Sequence, residues 1–138
     1  MPAKHDTLIQ NQFGPAAADY VASAVHAEGA DLRRIAQVAA AASPAHALDL
    51  GCGGGHVAYA LAPHAGEVIA SDLSPAMTAA VAAEAAGRSL ANIRAVTARA
   101  EALAFADASF DLLACRFTVH HWRDAGTGLR EARRVLRP

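Results

Sequence analysis

The chain has 138 residues, with 12 Lys and Arg against 13 Asp and Glu, a net charge of -1. That length suits one domain with a single core, and so balanced a charge leaves no field that would recruit nucleic acid or an anionic membrane, which points to a small-molecule partner. No apolar run reaches the ~18–20 residues needed to span a bilayer, and residues 1–10 lack the basic start and apolar middle of a secretory signal. No membrane insertion and a cytoplasmic location are therefore expected. Two cysteines, Cys52 and Cys115, lack metal-ligand spacing and suit a reducing compartment, so neither a disulfide nor a metal site is expected.

In chain order, residues 1–10 are polar and unpatterned and read as a mobile terminus. Residues 16–25 read as a short helix and 31–42 as a longer one, with Leu32, Ile35, Val38 and Ala39 on one face and Ser43-Pro44 as its stop. A first strand over 45–50 runs into the loop Gly51-Cys52-Gly53-Gly54-Gly55 and a helix over 55–62, after which 63–66 turn the chain. The second strand, 67–71, is apolar in its middle, as a parallel strand buried on both faces requires. Ser74 as N-cap and Pro75 at the first helical position launch a helix over 76–86, which Gly87 ends. Strands over 93–97 and 110–115 and a helix over 125–136 follow. Arginines 123, 130, 133, 134 and 137, interleaved with Asp124 and Glu131, read as a solvated face. The regular alternation predicts a single α/β domain, a Rossmann-like parallel sheet with helices on both faces and right-handed crossovers.

The glycine loop reads as a cofactor turn, because Gly51, Gly53 and Gly55 permit positive φ angles and close approach of a ligand to the backbone. Gly53-x-Gly55-x-x-Ala58 formally satisfies the nicotinamide and flavin fingerprint. Asp49 discriminates. A pyrophosphate at a helix N-terminus wants amide donors and positive potential, which a neighbouring carboxylate opposes. S-adenosylmethionine carries an ammonium and a sulfonium and no phosphate, so the same carboxylate favours it. His56-Val57 stand where a nucleotide hydrolase needs Lys-Ser or Lys-Thr, which excludes a phosphate loop.

Residues 48–55 resemble motif I, Asp/Glu-x-Gly-x-Gly-x-Gly, of the class I S-adenosylmethionine-dependent methyltransferases. Val68-Ile69-Ala70-Ser71-Asp72-Leu73-Ser74-Pro75-Ala76-Met77 resembles motif II, in which an acid ends the second strand and grips the ribose diol. Asp72 lies 21 residues beyond Gly51, close to the roughly 20 that one helix and one strand require. Residues 100–105 and 108–113 resemble the "AExLPF…SFDLV" segment of the methyltransferase type 11 group, which includes the ubiquinone and menaquinone C-methyltransferases. His120-His121-Trp122-x-Asp124 and Arg134-Val135-Leu136-Arg137-Pro138 resemble its "HHWxD" and "RVLKPGG".

The resemblance implies methyl transfer from S-adenosylmethionine to a small-molecule acceptor at carbon or oxygen. It implies Asp49 near the methionine ammonium, Asp72 on the ribose, and Gly51, Cys52, Gly53, Gly55 and Cys115 around the cofactor. Leu73 and Met77 fit the adenine face and core packing equally well. Ala100 and Glu101 match the segment closing the other side of the adenine. There the family often carries Gly-Asp just before Ala-Glu, whereas this chain has Ala98-Arg99, so adenine recognition falls to backbone groups or Glu101. His120 and His121 are candidate general bases, of which one would point into the cleft, against a bland reading as a pair packed beside Trp122. Phe13 and Tyr20 fit a lid over the cofactor or ordinary helix packing.

Methyltransferases of this type form a seven-stranded sheet of order 3-2-1-4-5-7-6. Here strands 3-2-1-4 are expected without 5, 7 and 6, which leaves the fourth strand an edge with unpaired backbone groups. A longer chain, a partner or a homodimer would cover it. The rival readings are a non-catalytic cofactor-binding fragment or regulatory remnant and, against Asp49 and residues 100–105, an NAD(P)-dependent oxidoreductase.

Overall fold

The computed structural model describes residues 5–7, 19 and 27–138. Helix α1 (Ala30–Ala42) ends at Ser43, whose φ of 46° takes the left-handed conformation while its N–H donates to the Ala39 carbonyl. It is followed by β1 (His46–Leu50), α2 (His56–Leu61), a 3₁₀ turn (Ala62–His64) and β2 (Glu67–Asp72). Then come α3 (Pro75–Gly87), β3 (Ile93–Thr97), β4 (Leu112–Ala114), a second 3₁₀ turn (Val119–His121) and α4 (Ala125–Val135). All neighbouring strands are parallel, in the order β3-β2-β1-β4.

The two faces of the sheet bury different sets, as the two-residue period of a strand dictates. Ala47, Val68 and Ala70 pack with Leu32, Val57, Leu61 and Val81 beneath α1, α2 and α3. Leu48, Leu50 and Ile69 pack with Leu103, Phe110 and Val135 on the α4 side. Both faces of β1 are thus dry, which explains its near-continuous apolar run. Among the described residues no helix is long and apolar enough to cross a membrane.

Several local expectations change. Ser74 does cap α3, its hydroxyl accepting from the Met77 N–H at 3.3 Å. Gly87, however, is the last helical residue, and the left-handed residue is Ser89 at φ 58°. Strand β4 is shorter than 110–115 because Asp111 turns its carboxylate to the N–H groups of Ala45 (2.9 Å) and His46 (2.8 Å) at the start of β1. Phe110 instead bridges Leu136. The edge ahead of β4 is therefore partly paired, with Phe110 N–H donating to Val135 and Arg137 N–H donating back to Phe110. Of residues 1–10, read as mobile, His5, Asp6 and Thr7 are described. They are helical, with Asp6 buried against Arg99, an ion pair that the polar sequence does not announce. The predicted helix at 16–25 and the lid candidates Phe13 and Tyr20 lie outside the described residues, apart from Asp19.

Arg134 is not part of a solvated face. Its guanidinium donates to the carbonyls of Phe105 (2.8 Å) and Leu103 (2.9 Å) and pairs with Glu131 and Asp107, both at 2.8 Å. Glu131 in turn accepts from the Leu103 N–H at 2.8 Å. Together they staple residues 103–107 to α4. Arg134→Met strands two carbonyls and two carboxylates, and we expect it to lower unfolding stability by about 1–3 kcal/mol, read as a lower urea midpoint at unchanged slope. Arg130→Met, whose guanidinium reaches only the Thr127 hydroxyl, is expected to stay within about 0.5 kcal/mol.

Candidate functional site

The loop after β1 holds its shape by close approach. Gly51 (φ 72°) lies against the Thr118 side chain, which a Cβ there would strike. Gly55 (φ 87°) lies against Tyr59, whose hydroxyl would stand 2.6 Å from an added Cβ. The left-handed φ at both positions independently disfavours any side chain. The Cys52 N–H donates to the Ser71 carbonyl and the Gly55 N–H to Cys52, both at 2.8 Å, so the turn is tied to the end of β2.

Two carboxylates flank this turn and are held differently. Asp72 accepts from the Gly53 N–H through Oδ2 and from the Ser74 N–H through Oδ1, both at 2.9 Å. Burial raises its pKa while these amides oppose the rise. Asp49 is 1 % exposed. Its Oδ2 accepts from the Ala58 N–H in the first turn of α2 at 3.0 Å, and its second oxygen makes no hydrogen bond to the described residues. Burial pushes its carboxyl up to about 8, the Ala58 amide opposing and the charge of Asp72 adding.

Between these groups and the segment after β4 lies a cavity of about 420 Å³ at the carboxyl ends of the strands, where open α/β sheets place their ligands. Asp49, Gly51, Cys52, Gly53, Asp72, Leu73, Met77, Ala100, Glu101, His120 and His121 all line it. Leu73 and Met77, open between ligand contact and core packing, therefore both face the cavity. Gly55 does not line it and serves the packing of Tyr59. Cys115 does not line it either, because strand alternation sends it with Leu113 into the cluster of Leu48 and Leu50. The Cys52 thiol is held up by burial and by Asp49 and Asp72, which leaves it un-ionised and a poor nucleophile.

Both histidines line the cavity, not one of the two. Their rings stack at 3.9 Å between centroids with a 44° tilt. Burial and the neighbouring His120 lower the pKa of His121, with Asp72 opposing, so its imidazole is neutral at physiological pH and able to accept a proton. The His121 carbonyl accepts from His5 Nε2 at 2.9 Å. Glu101 accepts from the Asp124 N–H at 3.2 Å.

Sequence reasoning missed several lining residues: His5, Asp6, His56, Arg116, Phe117 and Thr118. Arg116 could have been found, since a lone cation closing an apolar strand at the ligand edge is a signal. It is 7 % exposed at its side chain and bonds Asp31 at 2.6 Å and the Glu28 carbonyl at 2.8 Å. His5 and Asp6 carry no such mark, because their places depend on contacts with Arg99 and His121 far along the chain. Among the described residues no cluster of His, Cys, Asp and Glu could hold a metal.

The residues present fit S-adenosylmethionine. A desolvated carboxylate with one unbonded oxygen suits a cation, and a second carboxylate fixed by backbone amides suits a ribose diol. The same pair of acids opposes a pyrophosphate, which tells against the nicotinamide reading of 53–58.

Comparison with known proteins agrees. The profile of the methyltransferase domain family matches residues 48–138. The uncharacterized methyltransferase YcgJ of Bacillus subtilis is 34 % identical over 128 residues, covering 93 % of this chain and 51 % of YcgJ. Its crystal structure superposes with a TM-score of 0.74 over 77 % of this chain and 45 % of YcgJ. The demethylmenaquinone methyltransferase of Thermus thermophilus is 36 % identical over 115 residues, covering 80 % of this chain and 52 % of the relative. The chain spans about half the length of these curated relatives. With its four-stranded order, its acid-flanked glycine turn and this match over 48–138, the chain belongs to the S-adenosylmethionine-dependent methyltransferase domain family.

Proposed function

We propose that this chain catalyses methyl transfer from S-adenosylmethionine to carbon or oxygen of a small molecule, with His121 as the general base. The observation that carries this reading is one cavity joining Asp49, Asp72 and the glycine turn on one wall to His120 and His121 on the other. When bound, S-adenosylmethionine supplies a methyl group on a sulfonium, already a good leaving group. The residues' work is then alignment and charge. Asp49 neutralises the methionine ammonium, Asp72 holds the ribose, and the His121 imidazole takes a proton from the acceptor before or as the methyl arrives. His120, stacked on His121, favours its neutral form. Aromatic rings of Phe117 and Trp122 on the same wall suit a flat acceptor such as a quinol or phenol, and the net charge of -1 supports a small molecule in preference to nucleic acid.

Isothermal titration of the folded chain with S-adenosylmethionine and its demethylated product tests the cofactor reading, and binding of neither would overturn it. Labelled-methyl transfer to quinol or phenol acceptors tests catalysis, since binding without turnover would return a non-catalytic role. His121→Gln is expected to keep cofactor affinity and to lower turnover by about 10²–10⁴.

Asp49 generates a prediction with a definite pH dependence. Its folded-state pKa of about 8 lies above the ordinary 3.8. The stability contributed by its protonated form is therefore complete below the unfolded value and is lost as pH rises through the folded one. Asp49→Asn keeps an acceptor for the Ala58 N–H and removes the ionisation. Its melting temperature should exceed that of wild type by a margin that grows from acidic to mildly alkaline pH, while binding of S-adenosylmethionine is lost. In wild type, binding the cationic ligand restores the Asp49 charge and releases a proton. Titrations in buffers of different ionisation enthalpy should report that proton, and affinity should rise with pH by up to about tenfold per unit below pH 8.

A further inference from the structure

Asp6 is a carboxylate in an unexpected place. It is 2 % exposed, lines the cavity beside Arg99, and belongs to a segment whose sequence carries no motif. Its Oδ2 receives the Arg99 guanidinium at 3.1 Å, and its other oxygen has no hydrogen-bond partner among the described residues. No buried side-chain oxygen among the described residues lacks a partner, so this oxygen opens into the cavity that Asp6 lines, where a ligand donor can reach it. The surrounding wall, Leu73, Met77 and Ala98–Glu101, is the stretch the motifs assign to the adenine. Arg99 there offers only donors and would repel an amino group. Glu101, the other acid, already accepts from the Asp124 N–H.

Resting on the S-adenosylmethionine reading, we propose that Asp6 recognises the exocyclic amino group of the adenine, carried to the site by Arg99, which stands where the family often has the acid itself. Arg99 orients Asp6 through one oxygen and leaves the other to accept from the purine. The base-specificity determinant is thereby moved from the end of β3 to Asp6.

The test compares S-adenosylhomocysteine with S-inosylhomocysteine, in which a carbonyl oxygen replaces the amino group. The full chain is titrated as wild type, Asp6→Ala and Asp6→Asn, each checked for native circular dichroism. Wild type is expected to prefer the adenosyl ligand by at least about tenfold, because a site built for an amino donor leaves an acceptor unpaired against its analogue. Asp6→Ala should weaken the adenosyl ligand by a similar factor while changing the inosyl ligand less than about twofold. Asp6→Asn keeps an oxygen for Arg99 and turns an amide N–H toward the purine, so the preference should invert. Equal weakening of both ligands in both variants, or no change in either, overturns the proposal and leaves Asp6 as a structural anchor. Failure of wild type to bind either ligand overturns the cofactor reading itself, a result visible before any variant is made.

Discussion

The crevice at the carboxyl end of β1 exists because the chain leaves that strand to one side for β2 and later returns on its other side as β4. Loops that follow strands on opposite sides of such a reversal diverge, and the gap between them is where a ligand enters. Most of the groups that line it lie on the segments that leave this edge, 51–54, 72–73, 98–101 and 116–123, with Asp49 in β1 itself. Their rigidity comes from below. Leu48 and Leu50 are buried on one face of β1 at 0 % and 1 % exposure, Ala47 at 0 % on the other, so the strand bearing Asp49 has little freedom to move. A displaced β1 would carry the glycine turn away from Thr118 and open the floor of the cavity.

The two acids at this edge divide the work according to how each is solvated. Asp72 accepts from backbone N–H donors, which fix its geometry and oppose the effect of its desolvation. Asp49 has one such donor and otherwise dry surroundings, so its charge is expensive until a cation arrives. An apolar or amide side chain would serve the empty fold better. On the proposed reading a bound ammonium restores the Asp49 charge, which couples affinity to the sign of the ligand and opposes phosphate cofactors. Stability and recognition thus oppose each other at one residue.

How much of this was legible in the sequence follows from the range of each interaction. The glycine turn, Asp49 and Asp72 are written in short motifs, because a strand–turn–helix unit is built from neighbours, whereas the strand order follows from the family resemblance. β3 was placed at 93–97, its observed bounds. Cys115, which the resemblance puts around the cofactor, packs with the Leu48 and Leu50 cluster, a consequence of the strand pleat that motif proximity does not carry. Gly55, likewise put around the cofactor by the resemblance, lies against Tyr59, a contact that only the fold reveals. Arg134 and Glu131 looked like solvated charge because nothing local shows that their partners are backbone groups of 103–105. Asp6 and His5 were invisible, since a polar terminus without periodicity says nothing of an arginine far along the chain.

The same range argument separates the two walls of the cavity. On the cofactor wall the bonds that set geometry span 9 residues between Ala58 and Asp49 and 19 between Gly53 and Asp72. On the opposite wall they span 85 residues between Arg116 and Asp31 and 116 between His121 and His5. Contacts closing short loops form at low entropic cost, whereas contacts closing long ones depend on the rest of the fold being in place. The turn that joins Asp49 and Asp72 is therefore set locally, whereas the wall carrying the histidines depends on the rest of the fold being in place. On the proposed reading one wall holds the cofactor and residues 116–123 of the other face the acceptor, so acceptor identity is to be sought in 116–123 and not in the glycine turn.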